Sequence, residues 1–550
     1  MKIVIVGGAA GGVACAARLR RLDERNEIVL LEKEKTISFA RCGFTHYLDS
    51  RIDSQSIVTQ HDPQLFSARF RVDVRTESTV TAIDTANKAV AVEYRGESYC
   101  ESYDKLVLAI EARPQKLDVP GIQTQSTFPL RSIDDADSIR AYMQRKKPRR
   151  VCIIGGGFAG LEMASSLANP KIEVVIMDES SQLLPEMDAD VICELYPYLR
   201  RKGIHLRLGM KPERVQHDKD GLTIHAGNMS VKTDMIVLAT GMTPANSLAK
   251  GAKLMLGANG LIRTDARMRT SDPSIYAIGD AVDVARIGET LSASAPMLSA
   301  AHKQGRVAAD SIMGMWSRYE GTRSTAVLKL MDMTVAMTGL SEKAGVAVDS
   351  ECEKSFTYTQ NCTDHHLSAK GMSIKIVFSR SSGKLLGAQI VGFDGVEKQI
   401  DVLSTAIRLQ ATARDLTRLD LCHTAPFSPI KDPVNMAGYV VENVLDGRIK
   451  LFHWHDVDAL IHREDVLLLD VRTPEECAHS AIEGFVNIPL DDLRARIAEL
   501  SPDKPIYVYC HNGQRSYLAC RMLEQLGFMC RNLSGGYRLY LATKGERLCG

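Results

Sequence analysis

The chain has 550 residues, and its 68 Lys and Arg side chains nearly balance its 67 Asp and Glu side chains. This length exceeds what one hydrophobic core supports, so we expect three or four domains. The balanced charge gives no global electrostatic basis for binding nucleic acid or an anionic membrane. We therefore expect small molecules as partners, no nucleic acid and no membrane.

The first residues, Met1-Lys2-Ile3-Val4-Ile5-Val6, enter a buried-type strand at once, which leaves no room for a signal peptide. No apolar run is long enough to span a bilayer. Thirteen cysteines are scattered without a regular framework, and in a reducing compartment most of them pack as small hydrophobic side chains. We expect a cytoplasmic protein and assign no metal site.

A first dinucleotide-binding fold is predicted at the N-terminus. The strand Val4-Ile5-Val6 runs into a turn of small residues and then an Ala/Arg/Leu helix. Small residues let the backbone approach a pyrophosphate that sits on the helix N-terminus. An acid follows the next strand, Ile28-Val29-Leu30-Leu31, where it would bind a ribose hydroxyl. The predicted contacts are Gly7, Ala9, Ala10, Gly12 and Glu32, with Ala9 in place of the middle glycine of the strict fingerprint.

A second copy of this pattern follows a basic linker at 145–150. The strand Val151-Cys152-Ile153-Ile154 precedes Gly155, Gly157 and Gly160, and Asp178 closes the next strand. One fingerprint is a weak signal, but two at this separation are a strong one. Asp178 favours NADH over NADPH, because a carboxylate repels a 2′-phosphate.

The stretch Ser38-Phe39-Ala40-Arg41-Cys42-Gly43-Phe44 places a lone thiol shortly after the strand that ends near Glu32. The neighbouring cysteines in sequence are Cys15 and Cys100, so no short-spaced redox pair is available. If Cys42 cycles, it must do so with a thiol from a small molecule. Cys42 is therefore the candidate catalytic centre.

Two further strand ends complete a recognisable order. One ends in Ala239-Thr240-Gly241 and the other in Ile278-Gly279-Asp280, where a carboxylate and backbone amides suit a flavin ribityl chain. With the two fingerprints, this order resembles the two-dinucleotide-binding flavoprotein disulfide reductases. Within that group, Ser-Phe-x-x-Cys-Gly at 38–43 resembles the single-cysteine coenzyme A-disulfide reductases.

This resemblance implies an α/β fold with two Rossmann-like domains, an α/β dimerisation domain and a homodimer. FAD would occupy the first Rossmann-like domain, and NADH, with NADPH as the alternative, the second. Val80, Ala109, Gly279 and Asp280 would join the FAD contacts. The implied domains are FAD-binding at 1–112 and 246–321, NAD-binding at 113–245 and dimerisation at 322–446, whose central strands fit the pattern at 384–392.

The last hundred residues differ in pattern. Phe452-His453-Trp454-His455 is interpreted as a linker, and a strand at 506–509 runs into Cys510-His511-Asn512-Gly513-Gln514-Arg515-Ser516. Amides and a guanidinium in such a loop can hold an anion or a persulfide and favour a thiolate. With Leu-Asp-Val-Arg upstream and Gly535-Gly536-Tyr537 downstream, residues 453–550 resemble a rhodanese (sulfurtransferase) domain. Cys510 is predicted to be catalytic, with Arg515 as a substrate contact.

A reductase body fused to a rhodanese domain resembles coenzyme A-disulfide reductases with rhodanese tails, some of which are NADH-dependent persulfide or polysulfide reductases. The resemblance implies electron flow from NADH through FAD to a mixed disulfide at Cys42. Cys510 would carry sulfane sulfur, and coenzyme A or a similar thiol would shuttle it. One alternative is a divergent sulfur-transfer or sulfur-sensing protein with weak turnover. Another is an NADH oxidase or peroxidase that uses a Cys42 sulfenic acid, although that chemistry gives a rhodanese domain no task.

By the same resemblance, Arg18, Arg21, Ser38 and Lys431 fall at or near coenzyme A contacts. The alternative for the two arginines is a solvated helix face. Lys431 lies in a segment, 425–432, that in this family crosses the dimer interface to reach the partner's active site.

The departures from the family pattern concern charge and proton transfer. His423 stands in place of a tyrosine expected to assist the departing thiolate, and His365-His366 replace an upstream tyrosine pair. A histidine can perform that role with a pKa near neutral. Arg41 replaces an asparagine and favours the Cys42 thiolate or an anionic substrate. Glu111 puts a charge where the family has a glycine close to the FAD.

Overall fold

The computed structural model comprises two compact units. Unit 1 consists of Met1–Ser181 and Gly203–Thr322, and unit 2 consists of Gln182–Lys202 and Arg323–Gly550. Within the described part of the chain, no helix has the length and apolarity that crossing a membrane requires. The residues that the structure describes are 1–39, 43, 47–48, 59–219, 221–284, 298–363 and 366–547.

The N-terminal part of unit 1 is built on a five-stranded parallel sheet. Its three inner strands are buried along nearly their whole length, as expected when a parallel sheet is covered on both faces. The helices Ala10–Leu22 and Leu298–Ile312 pack against each other. From edge to edge the strands are Ile275–Ala277, Lys105–Leu108, Lys2–Val6, Glu27–Leu31 and Asp73–Arg75.

A second five-stranded parallel sheet in unit 1 repeats the order of four of these strands, which confirms the internal duplication predicted from the two fingerprints. Its fifth strand, Thr127–Pro129, comes first in the chain, whereas the matching edge strand of the first sheet comes last. Arg150–Ile154 takes the place of Lys2–Val6, and Glu173–Met177 takes the place of Glu27–Leu31. The strands are, in spatial order, Thr127–Pro129, Met235–Leu238, Arg150–Ile154, Glu173–Met177 and Ile204–Arg207.

The remaining elements of unit 1 are three-stranded antiparallel meanders, short strand pairs and helices. The meanders are Ser78–Asp84, Ala89–Tyr94 and Glu97–Ser102, and Arg214–Asp218, Gly221–Ala226 and Met229–Thr233. The pairs are Ile37–Phe39 with Thr59–His61, Arg113–Pro114 with Met242–Thr243, and Ile262–Arg263 with Val282–Asp283. The further helices are Pro63–Phe70, Ile133–Lys146, Phe158–Leu167 and Ser247–Gly251.

Unit 2 begins with an antiparallel five-stranded sheet. Its central strand is Leu385–Gly392, so the prediction of central strands at 384–392 is confirmed. The strands in spatial order are Ala326–Leu330, Met333–Gly339, Leu385–Gly392, Gly371–Ser379 and Cys352–Gln360. The helices of this part are Ala189–Ile192, Leu195–Arg201, Glu342–Val348, Val396–Arg408, Ala413–Thr417 and Pro433–Leu445.

A fully buried lysine of this sheet contacts acids at the start of two short helices, Ala189–Ile192 and Glu342–Val348. Lys375 Nζ lies 3.0 Å from Asp188, 2.7 Å from Asp190 and 2.8 Å from Glu342. A buried ammonium without such partners would carry a large desolvation cost. The cluster therefore fixes residues 188–190 on the antiparallel sheet of unit 2, although they follow a strand of unit 1 in sequence.

The C-terminal part of unit 2 is a parallel sheet with helices. The interpretation of Phe452 as linker is wrong, because Leu451–Phe452 pairs with Cys530–Leu533 as an edge strand of this sheet. The strands in spatial order are Leu451–Phe452, Cys530–Leu533, Ile506–Tyr509, Leu467–Asp470 and Val486–Asn487. The α-helices are Val457–Leu460, Pro474–His479, Gln514–Gln525 and Gly536–Arg547, and short 3₁₀ turns span Trp454–Asp456 and Ile497–Glu499.

Candidate functional site

The turn after the first strand and the helix that follows it each contain a glycine with no space for a side chain. Gly7 has φ +107°, and a Cβ there would lie 2.2 Å from the carbonyl oxygen of Ala109. A Cβ on Gly12 would lie 1.9 Å from the carbonyl oxygen of Gly7. The helix Ala10–Leu22 thus packs directly on the strand ends, and its N-cap residue, Ala9, has no polar side chain to satisfy the first-turn N–H groups. Those groups can hold a phosphate.

Glu32 holds this turn from the neighbouring strand end. Its Oε2 accepts a 2.6 Å hydrogen bond from the Gly8 N–H, and its Oε1 accepts a 2.9 Å bond from the Glu34 N–H. Burial raises the pKa of Glu32, although these two N–H groups oppose the shift. A carboxylate has further lone pairs, so Glu32 can still accept a ribose hydroxyl.

A cavity of about 1810 Å³ opens at this edge of the sheet. It exceeds the roughly 300–1,000 Å³ of an ordinary ligand pocket and is large enough for an extended dinucleotide. Of the predicted FAD contacts, it brings together Gly7, Ala9, Glu32, Val80 and Ala109.

The predicted ribityl contacts lie at the end of another strand of the same sheet. Gly279 has φ +86°, and its N–H donates a 2.7 Å hydrogen bond to Gln304 Oε1. Asp280 is buried. Among the described residues, neither Gly279 nor Asp280 is part of the wall of the large cavity, so their role with FAD stays a prediction.

The second fold has the same turn geometry. Gly155 has φ +118°, and a Cβ on Gly160 would lie 1.9 Å from the carbonyl oxygen of Gly155. Asp178 accepts hydrogen bonds from the Gly156 N–H and, at 2.7 Å, from the Ser180 N–H. A Cβ on Gly157 would meet no protein atom within 4 Å, which leaves open space at the helix N-terminus. This chemistry fits a second dinucleotide.

The predicted redox stretch is only partly described. Cys42 and Arg41 lie outside the described residues, as does His365. Ser38 is buried at φ +47°, lines the large cavity, and its N–H donates a 2.8 Å hydrogen bond to the Gly8 carbonyl. The strand that leads to Cys42 is thereby tied to the turn of the first dinucleotide fold.

The other predicted substrate contacts differ in their surroundings. Arg18 Nε donates a 2.7 Å hydrogen bond to Asp310, which ties it to the helix Leu298–Ile312, whereas Arg21 is exposed. In unit 2, His423 and Lys431 are both exposed on the segment after the helix Ala413–Thr417. Their roles stay predictions.

This segment of unit 2 exposes two large apolar side chains. Phe427 is 70% exposed and Ile430 is 83% exposed. Directly after them, buried Asp432 accepts hydrogen bonds of 3.0 Å from Ser428 Oγ, Lys398 Nζ and the Val434 N–H. The segment is therefore anchored at its end while its apolar side chains face outward.

The Cys510 thiol lies buried at the start of a loop between a strand and a helix. Its Sγ accepts hydrogen bonds of 3.2 Å from the Gly513 N–H and from Ser516 Oγ. The loop itself is fixed from behind, because the Tyr537 N–H donates to the Cys510 carbonyl at 2.8 Å and the Arg538 N–H donates to the His511 carbonyl at 2.9 Å. Donors aimed at the sulfur stabilise negative charge on it.

Arg515, the predicted anion contact of this loop, is engaged by an acid that the sequence analysis missed. Its two terminal nitrogens each lie 2.7 Å from a carboxylate oxygen of Glu476. The Arg515 guanidinium lowers the pKa of Glu476 to about 2. The available sequence signal was Thr473-Pro474-Glu475-Glu476, a capping box that starts the helix Pro474–His479.

In the Leu-Asp-Val-Arg motif, Asp470 and Arg472 form a buried ion pair beside the loop. Arg472 Nη2 donates to Asp470 at 2.8 Å and to Tyr509 Oη at 3.1 Å. The Arg472 guanidinium also lies 4.2 Å from the ring centroid of Tyr537. These contacts join the strand before Cys510 to the helix that begins at Gly536.

Within unit 2, this part of the chain docks on the antiparallel sheet through polar contacts. The Phe356 N–H donates a 3.1 Å hydrogen bond to Ser534 Oγ. Arg538 forms a 2.8 Å ion pair with Glu194 and lies 4.3 Å from the ring centroid of Tyr358. Arg538 is itself one of the two residues whose N–H groups fix the Cys510 loop, so the loop is tied to the sheet.

Family comparisons agree with this architecture. Residues 1–305 match the model of the pyridine nucleotide-disulphide oxidoreductases. The chain belongs to this family. Residues 325–429 match the dimerisation domain of the same family, and residues 453–543 match the rhodanese-like domain. Members of the family use FAD and NAD(P)H, and the two folds described above provide a site of fitting chemistry for each.

Two solved structures resemble nearly the whole chain. Reduced Bacillus anthracis CoADR-RHD is 38% identical with a TM-score of 0.96, covering 99% of this chain and 98% of that one. An NAD-dependent persulfide reductase from A. fulgidus is 32% identical with a TM-score of 0.90, covering 98% and 100%.

Curated relatives match about four fifths of the chain. A coenzyme A disulfide reductase of Staphylococcus aureus is 29% identical over 442 residues, which are 80% of this chain and 99% of the relative. An NADH oxidase of Methanocaldococcus jannaschii is 29% identical over 443 residues, which are 80% and 98%.

Proposed function

We propose that this protein is an FAD-dependent NADH oxidoreductase that reduces coenzyme A persulfide, polysulfide or coenzyme A disulfide. The observation that carries the proposal is the Cys510 thiol, held by Gly513 and Ser516, in a rhodanese-like domain on the same chain as two dinucleotide folds. A relative named coenzyme A disulfide reductase and a structural neighbour named persulfide reductase support the same substrate class.

In this proposal the two folds hold different nucleotides. The first holds FAD through its glycine turn and Glu32, and the second holds NADH through Gly155, Gly160 and Asp178. When bound, FAD supplies two-electron transfer between NADH and a disulfide. The protein orients both nucleotides and excludes water.

Cys42 is the proposed redox cysteine. Its thiolate attacks the inner sulfur of coenzyme A persulfide, forms a mixed disulfide with coenzyme A and releases hydrosulfide. Two electrons and one proton then convert the mixed disulfide to the Cys42 thiolate and free coenzyme A. Arg18, Arg21, Ser38, Arg41 and Lys431 are the proposed coenzyme A contacts.

Cys510 is the proposed sulfur carrier. Its sulfur accepts sulfane sulfur as a persulfide, which the Gly513 N–H and Ser516 hydroxyl stabilise, and a small thiol takes it to Cys42. Arg515 is the proposed anion contact of the loop, held in place by Glu476.

We further propose a homodimer in which His423 and Lys431 reach the partner's site, with His423 as the proton donor to the departing thiolate. The exposed Phe427 and Ile430 support this, because exposed apolar side chains close together in one segment are typical of a protein–protein contact surface. All cysteines among the described residues are free thiols, which supports a cytoplasmic location.

The test uses purified protein under anaerobic conditions. NADH and coenzyme A persulfide are added, and NADH loss and sulfide release are measured together with the flavin absorption spectrum. We expect bound flavin and one sulfide per NADH. Absence of flavin, or flavin reduction without sulfide release, would contradict the proposal.

Two cysteine variants separate the steps. Cys42→Ser is expected to abolish sulfide release while NADH still reduces the flavin. Cys510→Ser is expected to lose transfer from thiosulfate but keep reduction of preformed coenzyme A persulfide. If Cys42→Ser retained full turnover, the redox centre would lie elsewhere.

A second candidate is an NADH oxidase, which the relative of that name favours. The same protein in air, without a sulfur substrate, distinguishes the two. Oxygen consumption that matches NADH loss and exceeds persulfide turnover would favour the oxidase.

A further inference from the structure

A partly buried ion pair lies in the wall of the large cavity of unit 1. Arg131 Nη2 is 2.8 Å from Glu111 Oε2, and the two side chains are only 14% and 21% exposed. A second terminal nitrogen of Arg131 donates to the carbonyl oxygen of Ala112. The guanidinium is therefore directed to residues 111–112 by two of its nitrogens.

The backbone on both sides of this pair is fixed. Ala109, two residues before Glu111, packs on Gly7 of the phosphate-binding turn. The Arg131 N–H donates a 3.0 Å hydrogen bond to Asp135, in the capping box that starts the helix Ile133–Lys146. The backbone at both residues is therefore held at the wall of the cavity.

Glu111 also acts on the predicted ribose ligand. Burial is the main reason why the pKa of Glu32 is raised, and the negative charge of Glu111 adds to that shift. The two carboxylates are thus within electrostatic range of each other, on a cavity that the FAD diphosphate must enter.

The charges that line the cavity do not favour a diphosphate. Acidic side chains outnumber basic ones in its wall, the acids being Glu32, Glu34, Glu111, Asp118 and Asp135 and the bases Lys33, Arg113, Lys116 and Arg131. An arginine fork binds carboxylate and phosphate with the same geometry, so a carboxylate already on Arg131 occupies a phosphate-binding group.

We propose that Glu111 sets the affinity for FAD by holding Arg131 inside the dinucleotide cavity, which weakens the attraction of the cavity for the diphosphate. Removal of the Glu111 charge leaves Arg131 available to the diphosphate and removes a repulsion. Removal of the Arg131 charge leaves an uncompensated carboxylate beside the diphosphate. The two single substitutions therefore act in opposite directions on FAD retention.

The test is the rate at which FAD leaves the full-length holoprotein after dilution, followed by flavin fluorescence. Glu111→Gln is expected to slow release about tenfold and Arg131→Gln to speed it about tenfold, since one charge interaction in a partly buried site is of that order. The double variant is expected to release FAD within about threefold of the wild-type rate, because it restores the charge balance. The Glu111→Gln effect is expected to shrink as salt is raised.

Asp118→Asn is the matched control. Asp118 lines the same cavity but is exposed, so the loss of its charge is expected to change the rate much less than Glu111→Gln does. Glu111→Met provides a second neutral side chain of similar size if the glutamine variant folds poorly, as judged by circular dichroism.

If the ion pair served only to hold the cavity together, both single variants would speed release. A Glu111→Gln or Glu111→Met protein that folds and releases FAD as fast as the wild type, or faster, would overturn the proposal. FAD release does not involve a sulfur substrate, so this result is independent of whether the protein reduces persulfides.

Discussion

The two dinucleotide folds of unit 1 share their backbone design but differ in side chains around the ligand. Both share the order of four strands, and in both a helix glycine lies against the carbonyl of the first turn glycine. In both, an acid at the second strand end accepts a hydrogen bond from the turn, Glu32 from Gly8 and Asp178 from Gly156. The constraints that the backbone imposes are repeated, whereas the side chains that select a ligand are not.

The two folds differ at three places near the turn. The middle fingerprint residue is Ala9 in the first fold and Gly157 in the second. The strand end that follows is Ala109-Ile110-Glu111 in the first and Ala239-Thr240-Gly241 in the second. The helix of the second fold carries Glu162 where the register of the first places Ala14.

The largest effect is expected at the shared glycines. Gly12→Ala and Gly160→Ala each put a Cβ 1.9 Å from a backbone carbonyl oxygen, and overpacking of this kind costs about 1–3 kcal/mol. Gly12→Ala is expected to lose FAD, and Gly160→Ala is expected to keep FAD but lose reduction by NADH. The flavin absorption spectrum before and after NADH addition checks both. If Gly160→Ala also lost its flavin, the two folds would not be separable.

An intermediate effect is expected at Asp178. Asp178→Asn keeps an oxygen acceptor for the Gly156 N–H but removes the charge that repels a 2′-phosphate. The ratio of kcat/KM for NADH to that for NADPH is expected to fall about tenfold, the size of one charge-assisted interaction. Glu179→Gln, at the adjacent exposed acid, is the control and is expected to change the ratio less. An unchanged ratio in Asp178→Asn would remove this acid from nucleotide selection.

A smaller effect is expected at Glu162. Burial raises the pKa of Glu162 from 4.5 to about 6, so its protonated form favours the fold. That stabilisation is complete below pH 4.5 and is lost as the pH rises through about 6. Glu162→Gln is therefore expected to be more stable than wild type by about 1 kcal/mol above pH 7, because the group is only half-buried. The difference is expected to disappear near pH 4.

Thermal unfolding of wild type and Glu162→Gln across this pH range measures that difference. A gap that is equal at pH 4.5 and pH 7 would show that the titration of Glu162 is not its cause.

The smallest effect is expected at Gly157. A Cβ there meets no protein atom within 4 Å, and the first fold already carries Ala9 at this place. Gly157→Ala is expected to raise the KM for NADH by less than about threefold, since it adds one methyl group at the edge of the site. A much larger increase would mean that the second fold holds its pyrophosphate closer to the turn than the first.

The local patterns of the chain were sufficient for most of the architecture. The two fingerprints predicted the duplicated sheets, and the strand pattern at 384–392 predicted the central strand of the antiparallel sheet, because buried strands have a strong local signal. The local sequence pattern did not predict the edge strand at Phe452. This strand has only two residues, and its partner, Cys530–Leu533, lies far along the chain.

The candidate sites, like the architecture, could be predicted only where the signal is local in sequence. The turn at Gly7 and the loop at Cys510 could be predicted because each is continuous in sequence, and Glu32 because it follows a buried strand at the spacing of the fingerprint. Glu476 on Arg515 and Arg131 on Glu111 were missed, since each pair joins residues at least 20 positions apart. Ion pairs of this kind have no periodicity to reveal them.

The sequence by itself therefore determined the fold class, the two dinucleotide turns and the thiol loop, because glycine spacing and apolar strands act over a few residues. Only the tertiary structure decided which charged side chains pair with each other at the candidate sites. Neutralisation of Arg515 by Glu476 and of Arg131 by Glu111 depends on distances across the fold, and electrostatic energy depends on distance in space rather than in sequence.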